Sequence, residues 1–156
     1  MIIKNNILLF FVLAFALVSC GEKPMYTKAV SFKDNRWNLD QKPTFEVDIE
    51  DTTKAYNFRL ILRTTTDYAY SNLWIFLKTI APDGSEGREP YQIRIANEDG
   101  SWIGNKSGSM VETELSFAAR KLPLKGKYTF IVEQAITKDE VDDVSDLIFE
   151  VSPVQN

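Results

Sequence analysis

The sequence predicts an all-β chain: a single antiparallel β-sandwich of about eight strands, jelly-roll or Ig-like, behind an N-terminal targeting segment. Three observations predict it. Apolar and polar residues alternate with a period of two in run after run, the mark of strands with one face on a core and one in water. Gly, Pro, Asp and Asn cluster between the runs. The runs are short, closely spaced and rich in β-branched and aromatic residues.

The elements follow in chain order. Lys4 is the only charge in the first twenty residues, and Ile7–Val18 (ILLFFVLAFALV) is apolar without a break. Such a run suits the core of a signal peptide and is too short to cross a bilayer, which needs about 20 residues. It ends in Leu17-Val18-Ser19-Cys20, the pattern of a bacterial lipobox. Small residues there admit the peptidase, and the cysteine sulfur is acylated before cleavage. Residues 1–19 are expected to be removed, with Cys20 as the lipidated N-terminus. Each buried methylene contributes ~0.8 kcal/mol, so two or three acyl chains hold a protein on the membrane permanently. Gly21 follows the cysteine where a retention signal would place aspartate. By the enteric sorting rule this favours the outer membrane. The periplasmic face is expected over the cell surface.

Residues 20–27 read as the lipidated cysteine and a short tether, and 28–156 as one domain. The first strand is expected at 28–33. Phe45-Glu46-Val47-Asp48-Ile49-Glu50 alternates without error and places a strand at 44–50. Tyr56, Phe58, Leu60 and Leu62 place one at 56–65. Leu73-Trp74-Ile75-Phe76-Leu77 is apolar on both faces, inside an expected strand 72–80. It is buried on both sides or its outer face is covered by a partner. Tyr91, Ile93 and Ile95 mark 90–96, after the turn Pro82-Asp83-Gly84-Ser85-Glu86-Gly87. Val111, Thr113, Leu115 and Phe117 mark 109–117. Tyr128, Phe130 and Val132 mark 127–136, and Leu147, Phe149 and Val151 mark 146–152. Residues 137–145 are expected to form a loop or a helical turn.

Composition excludes several functions. The chain of 156 residues has no histidine and one cysteine. That removes the Ser-His-Asp triad, the Cys-His dyad, imidazole zinc sites, internal disulfides and multi-cysteine metal sites. A net charge of −4 speaks against non-specific nucleic-acid binding, which draws on Lys and Arg. Twenty-two acidic residues lie mostly on polar strand faces, so nominating any pair for glycoside hydrolysis carries no information. No catalytic residue and no cofactor are expected.

Three constellations remain. Asp139, Glu140, Asp142, Asp143 and Asp146 could offer oxygens to calcium, but the spacing is not an EF-hand loop and its turn glycine is absent; a solvated loop is the preferred reading, and no metal site is assigned. Trp37, Tyr68, Tyr70, Trp74 and Trp102 could build a flat sugar-binding platform, or fill the core and cover its ends. Trp74, in the most apolar strand, is expected to be structural. Trp102, between Gly100 and Gly104, is either a plug for the end of the sandwich or a contact anchor. Arg63 with Tyr68, Tyr70 and Asn72 forms the third group. Pairing of Arg63 with a tyrosine face or with an aspartate such as Asp67 is the favoured reading there, with a recognition patch as the other.

At these residues the chain resembles the GldH family of gliding-motility lipoproteins of the Bacteroidota. The matching stretches are Leu62-Arg63, then Tyr68-Ala69-Tyr70-Ser71-Asn72-Leu73-Trp74-Ile75-Phe76 and Pro82-Asp83-Gly84. Gly100-Ser101-Trp102-Ile103-Gly104, Gly126-Lys127-Tyr128-Thr129-Phe130 and Glu133-Gln134-Ala135 complete the set. The likeness is weakest after Ala135, where a Met-Arg pair and a glycine are usual and this chain has Ile136-Thr137 and the acidic loop. The resemblance implies a non-catalytic envelope lipoprotein needed for gliding, dependent on type IX secretion. Its partners would be other gliding and type IX lipoproteins and envelope proteins, besides the membrane reached through Cys20. Arg63, Tyr70, Asn72 and Trp102 are the expected partner contacts. The alternative is a glycan-binding sandwich lipoprotein of a polysaccharide-uptake system, which requires exposed coplanar rings with polar groups between them. A hydrolase, the third reading, requires two carboxylates facing across a cleft.

Overall fold

A computed structural model describes residues 23–154; the signal segment and Cys20 lie outside the described residues. Eleven strands are formed among them, not eight. Eight are long: β1 (Tyr26–Ser31), β3 (Thr44–Ile49), β4 (Ala55–Thr65), β5 (Asn72–Ile80), β6 (Glu86–Arg94), β8 (Met110–Lys121), β9 (Gly126–Gln134) and β11 (Val144–Pro153). They match the eight expected runs. The three extra strands are three residues each: β2 (Arg36–Asn38), β7 (Asn105–Ser107) and β10 (Glu140–Asp142). Three residues are too few to show a period of two, so only their pairing defines them. Antiparallel β10 on β2 replaces the loop or helical turn expected at 137–145.

One sheet runs β1-β11-β4-β8-β7 and the other β3-β9-β5-β6. Every pairing is antiparallel. Among the long strands the first pairs with the last, β1 with β11, and pairing then closes inward through β3 with β9, β4 with β8 and β5 with β6. A long hairpin rolled up on itself gives this order, so of the two expected forms the chain adopts the jelly roll.

The two sheets meet on phenylalanines. Phe45 and Phe130 come from one sheet, Phe58 and Phe149 from the other, and all are buried. Ring centroids lie 5.1 Å apart for Phe45–Phe149, 5.0 Å for Phe130–Phe149 and 5.4 Å for Phe58–Phe130. Burying each such ring contributes roughly 1.5–3 kcal/mol. This is the period-two pattern realised: in β3, β4, β5, β9 and β11 alternate residues land in one shared layer.

Boundaries shifted where local chemistry outvoted the alternation. β6 begins at Glu86, because the turn closes earlier, with the Gly84 N–H donating to Ala81 O. Pro90 sits inside β6, which is an edge strand where a missing N–H leaves no ladder bond unmade. β8 runs on to Lys121 through a bulge, with Ala118 and Ala119 opposite Asn57. Three loops share one turn device. Asp51, Asp83 and Asp99 each accept from the backbone N–H and hydroxyl two residues on, at Thr53, Ser85 and Ser101. Those bonds to the ionised form hold the three carboxyls below the usual range.

Register gives the sandwich two ends. Tyr26, Pro153, Tyr56 and Arg120 lie together at the end where the chain enters. The loops 66–71, 95–104 and 135–139 lie at the opposite, distal end.

Candidate functional site

The distal end gathers the sequence-nominated residues, but not into one cluster. Tyr70 lies in the β4–β5 loop and is 51% exposed. Its ring meets Tyr68 edge to face at 5.8 Å, and Lys138 Nζ donates to its hydroxyl at 2.8 Å. That bond, an acceptor for the ammonium, raises the Lys138 pKa. Tyr68 is buried, donates its hydroxyl to Asn72 O at 3.0 Å, and has its pKa pushed up by that burial. Asn72 opens β5. Together Tyr68, Tyr70, Asn72, Leu73, Trp74, Ile136, Thr137, Lys138 and Val141 line a groove of about 190 Å³.

Trp74 corrects an expectation. It is 44% exposed and forms a wall of this groove, not part of the core. Leu73, Ile75 and Leu77 take the inner face of β5, which leaves Trp74 and Phe76 outside. The Arg88 guanidinium covers Phe76, with its carbon 3.5 Å from the ring centroid. Nothing in the described chain covers Trp74 to the same degree. The doubly apolar strand is therefore buried on one side only.

Arg63 takes an aspartate as its structural partner, as the sequence suggests, but that aspartate is Asp146 and not Asp67. Its Nε donates to Asp146 Oδ1 at 2.7 Å across the β4–β11 ladder. Asp146 is 7% exposed and also accepts from Ser145 Oγ. Arg63 is absent from the groove lining. Trp102 is half-buried against the core, joined to Ala96 by an isolated bridge. This is the plug reading, while its neighbour Ile103 is exposed.

The acidic loop is explained by pairing. Arg36 approaches Glu140 at 3.9 Å and Asp142 at 3.5 Å, which fastens β2 to β10. Asp143 accepts from Thr65 Oγ1 at 2.8 Å, and its positive φ of 63° turns the chain into β11. Among the described residues no group of three His, Cys, Asp or Glu is placed to hold a metal ion.

The sugar platform is not formed by the five nominated rings. Trp37 is fully buried, stacked on Phe32 at 4.9 Å, and Tyr68 is buried too. Only Tyr70 and Trp74 stand exposed, over an aliphatic floor. Sequence reasoning missed Lys138, Ile136 and Val141, which reach the groove from the β9–β11 connection. The signal for Trp74 was available: Asn72, Trp74 and Lys78 share one parity in the strand, opposite to Leu73, Ile75 and Leu77.

The family model and the similar sequences point to one family. The model of the GldH lipoprotein family matches residues 24–151. A gliding motility lipoprotein GldH homolog of Christiangramia forsetii is 29% identical over 142 residues, covering 88% of this chain and 86% of the relative. The gliding motility lipoprotein GldH of Flavobacterium johnsoniae is 30% identical over 134 residues, covering 86% and 82%. Among solved structures, the VP2 subviral particle of infectious bursal disease virus aligns with 85% of this chain and 34% of its own, at 10% identity and a TM-score of 0.33. That likeness is too low to support an argument. With a family match that runs from before β1 into β11 and two relatives aligned over most of their length, the chain belongs to the GldH lipoprotein family.

Proposed function

We propose that this chain is a non-catalytic, lipid-anchored component of the gliding apparatus, working beside the type IX secretion machinery and making protein contacts through its distal end. Acyl chains on Cys20 hold it to the outer membrane on the periplasmic face. Five residues separate Cys20 from Tyr26, a reach of at most ~20 Å at full extension. The end where β1 enters therefore stays near the bilayer and the distal loops face away from it.

One observation carries the contact reading. Among the described residues five large apolar side chains are exposed, Met25, Leu39, Tyr70, Trp74 and Ile103, and all but Met25 lie at the distal end. Leu39 joins them through its N–H to Asp139 O, and Ile103 through its N–H to Ile95 O. Clustered exposed apolar groups mark protein interaction sites. The family's gliding-motility relatives support the role.

The test is a detergent pull-down of the tagged lipoprotein from its native membrane, read by mass spectrometry. Near-stoichiometric gliding or type IX proteins are expected, lost on combined substitution of the exposed Tyr70, Trp74 and Ile103 by alanine. Recovery of the protein alone, or with sugar importers, ends the reading.

A further inference from the structure

The chain enters the sandwich through β1, so a force between the anchor at Cys20 and a partner at the distal end passes through that strand. β1 is an edge strand and pairs with β11. Six residue pairs join them, from Tyr26↔Val151 at the entry end to Ser31↔Asp146 at the distal end. β11 is held on its other side by the longer ladder to β4, from Pro153↔Tyr56 to Val144↔Thr64. Antiparallel ladder bonds lie across the strands. A pull on the tether toward the membrane runs along β1, and all six pairs resist it together. The chain's two ends sit side by side, at Tyr26 and Val151. Pulling those ends apart opens the same ladder one pair at a time.

Further contacts hold β1 against sliding. Lys28 Nζ donates to Thr44 O at 3.0 Å and clips the strand to β3 of the opposite sheet. Thr27 Oγ1 donates to Glu150 Oε1 at 3.4 Å, on a carboxylate that Arg59 also holds. Past the last pair, Phe32 is buried, with its N–H on Ser145 O at 2.8 Å and its ring 4.9 Å from that of Trp37. Trp37 is itself fixed, opposite Val141 in the β2–β10 pair and through its indole N–H on Gln41 O at 2.8 Å. A slip of one residue exchanges the two faces of a strand. The smallest slip that keeps them is two residues, about 7 Å, and it draws the Phe32 ring out of its stack.

We propose that β1 is a shear clamp: it carries load between the membrane anchor and a partner gripped at the distal end, with Phe32 as its stop. The proposal rests on the distal-contact reading above and takes the direction of the load from it. With the partner at the entry end instead, the same ladder would be peeled and would yield at low force.

Single-molecule stretching of residues 20–156, which carry every described strand, tests it. The Cys20 thiol, left unacylated, takes one handle. The second handle sits on Asp67→Cys, in the exposed β4–β5 loop, for the shear geometry. For the peeling geometry it sits on a cysteine added after Asn156. At one loading rate, rupture in shear is expected at a force at least about threefold higher, because six pairs are loaded together and not in turn. Phe32→Ala should lower the shear force about twofold and leave the peeling force, whose first step is at Tyr26 and Val151, unchanged. Lys28→Met, which keeps the long stem and loses the bond to Thr44 O, should also lower the shear force alone. It decides the matter if Phe32→Ala does not fold. Equal forces in the two geometries, or a shear force indifferent to the substitutions, overturns the proposal. The pull-down is read separately. Partners recovered with equal forces leave the distal contact and remove the clamp. Partners absent remove the load, and the clamp's role with it.

Discussion

Arg63 and Asp146 are joined across the β4–β11 ladder by a bond of 2.7 Å from Nε to Oδ1, just where a bulge between Val144 and Asp146 shifts the register. The pair ties the distal end of the sheet together. Asp146 is buried while Arg63 is partly exposed, so solvent screens the arginine end of the bond. Arg63→Ala is expected to cost about 1 kcal/mol in urea unfolding, and Asp146→Ala about 1–2 kcal/mol, since a charge-assisted bond is lost. A double-mutant cycle should return a coupling near the smaller value. No coupling would mean Arg63 is free for partners after all.

Trp74 and Trp37 should separate surface from core. Trp37→Ala removes a fully buried ring stacked on Phe32 and is expected to cost about 3–5 kcal/mol. Trp74→Ala should stay within about 1 kcal/mol, because almost half the residue is in water already. Denaturant midpoints of the two variants measure this directly. An equal loss at both positions would place Trp74 back in the core.

Gly104 has no room for a side chain. A Cβ there would lie 2.1 Å from Glu112 O and 2.8 Å from Thr113 Oγ1. The first of these is backbone and cannot swing away. Gly104→Ala should destabilise the protein by about 2–3 kcal/mol and loosen β7 from β8. Loss of amide protection at Asn105–Ser107, measured by hydrogen exchange, would confirm the local nature of the damage.

Glu133 should make stability fall in acid. Lys42 Nζ at 3.0 Å and then Arg88 Nε at 2.9 Å favour its charged form against the opposing effect of burial, and hold its pKa below the usual carboxylate range. A depressed folded pKa means stabilisation that is complete above the unfolded value of about 4.3 and lost as pH falls through the folded one. Both cations are half exposed, so the expected contribution is only about 0.5–1 kcal/mol. Melting curves from pH 6 to pH 3 should show a smaller decline for Glu133→Gln than for the parent.

The sequence by itself determined the fold class, the eight long strands and the lack of histidine chemistry. Composition carries the last of these and alternation the other two, because a strand buried on one face must repeat every two residues. Phe45, Phe58, Phe130 and Phe149 could each be assigned inward from their own strands. What alternation lacks is any record of which strand lies beside which. Tertiary structure therefore decided the jelly-roll order, the pairing of β2 with β10, and the assignment of the acidic loop to Arg36 and Thr65. It decided Arg63's partner too, since Asp146 is distant in sequence and Asp67 is near. Finally it settled Trp74: an apolar run reads the same whether its second face meets a core or water, and only the other sheet, packed against Leu73, Ile75 and Leu77, shows which face was left outside.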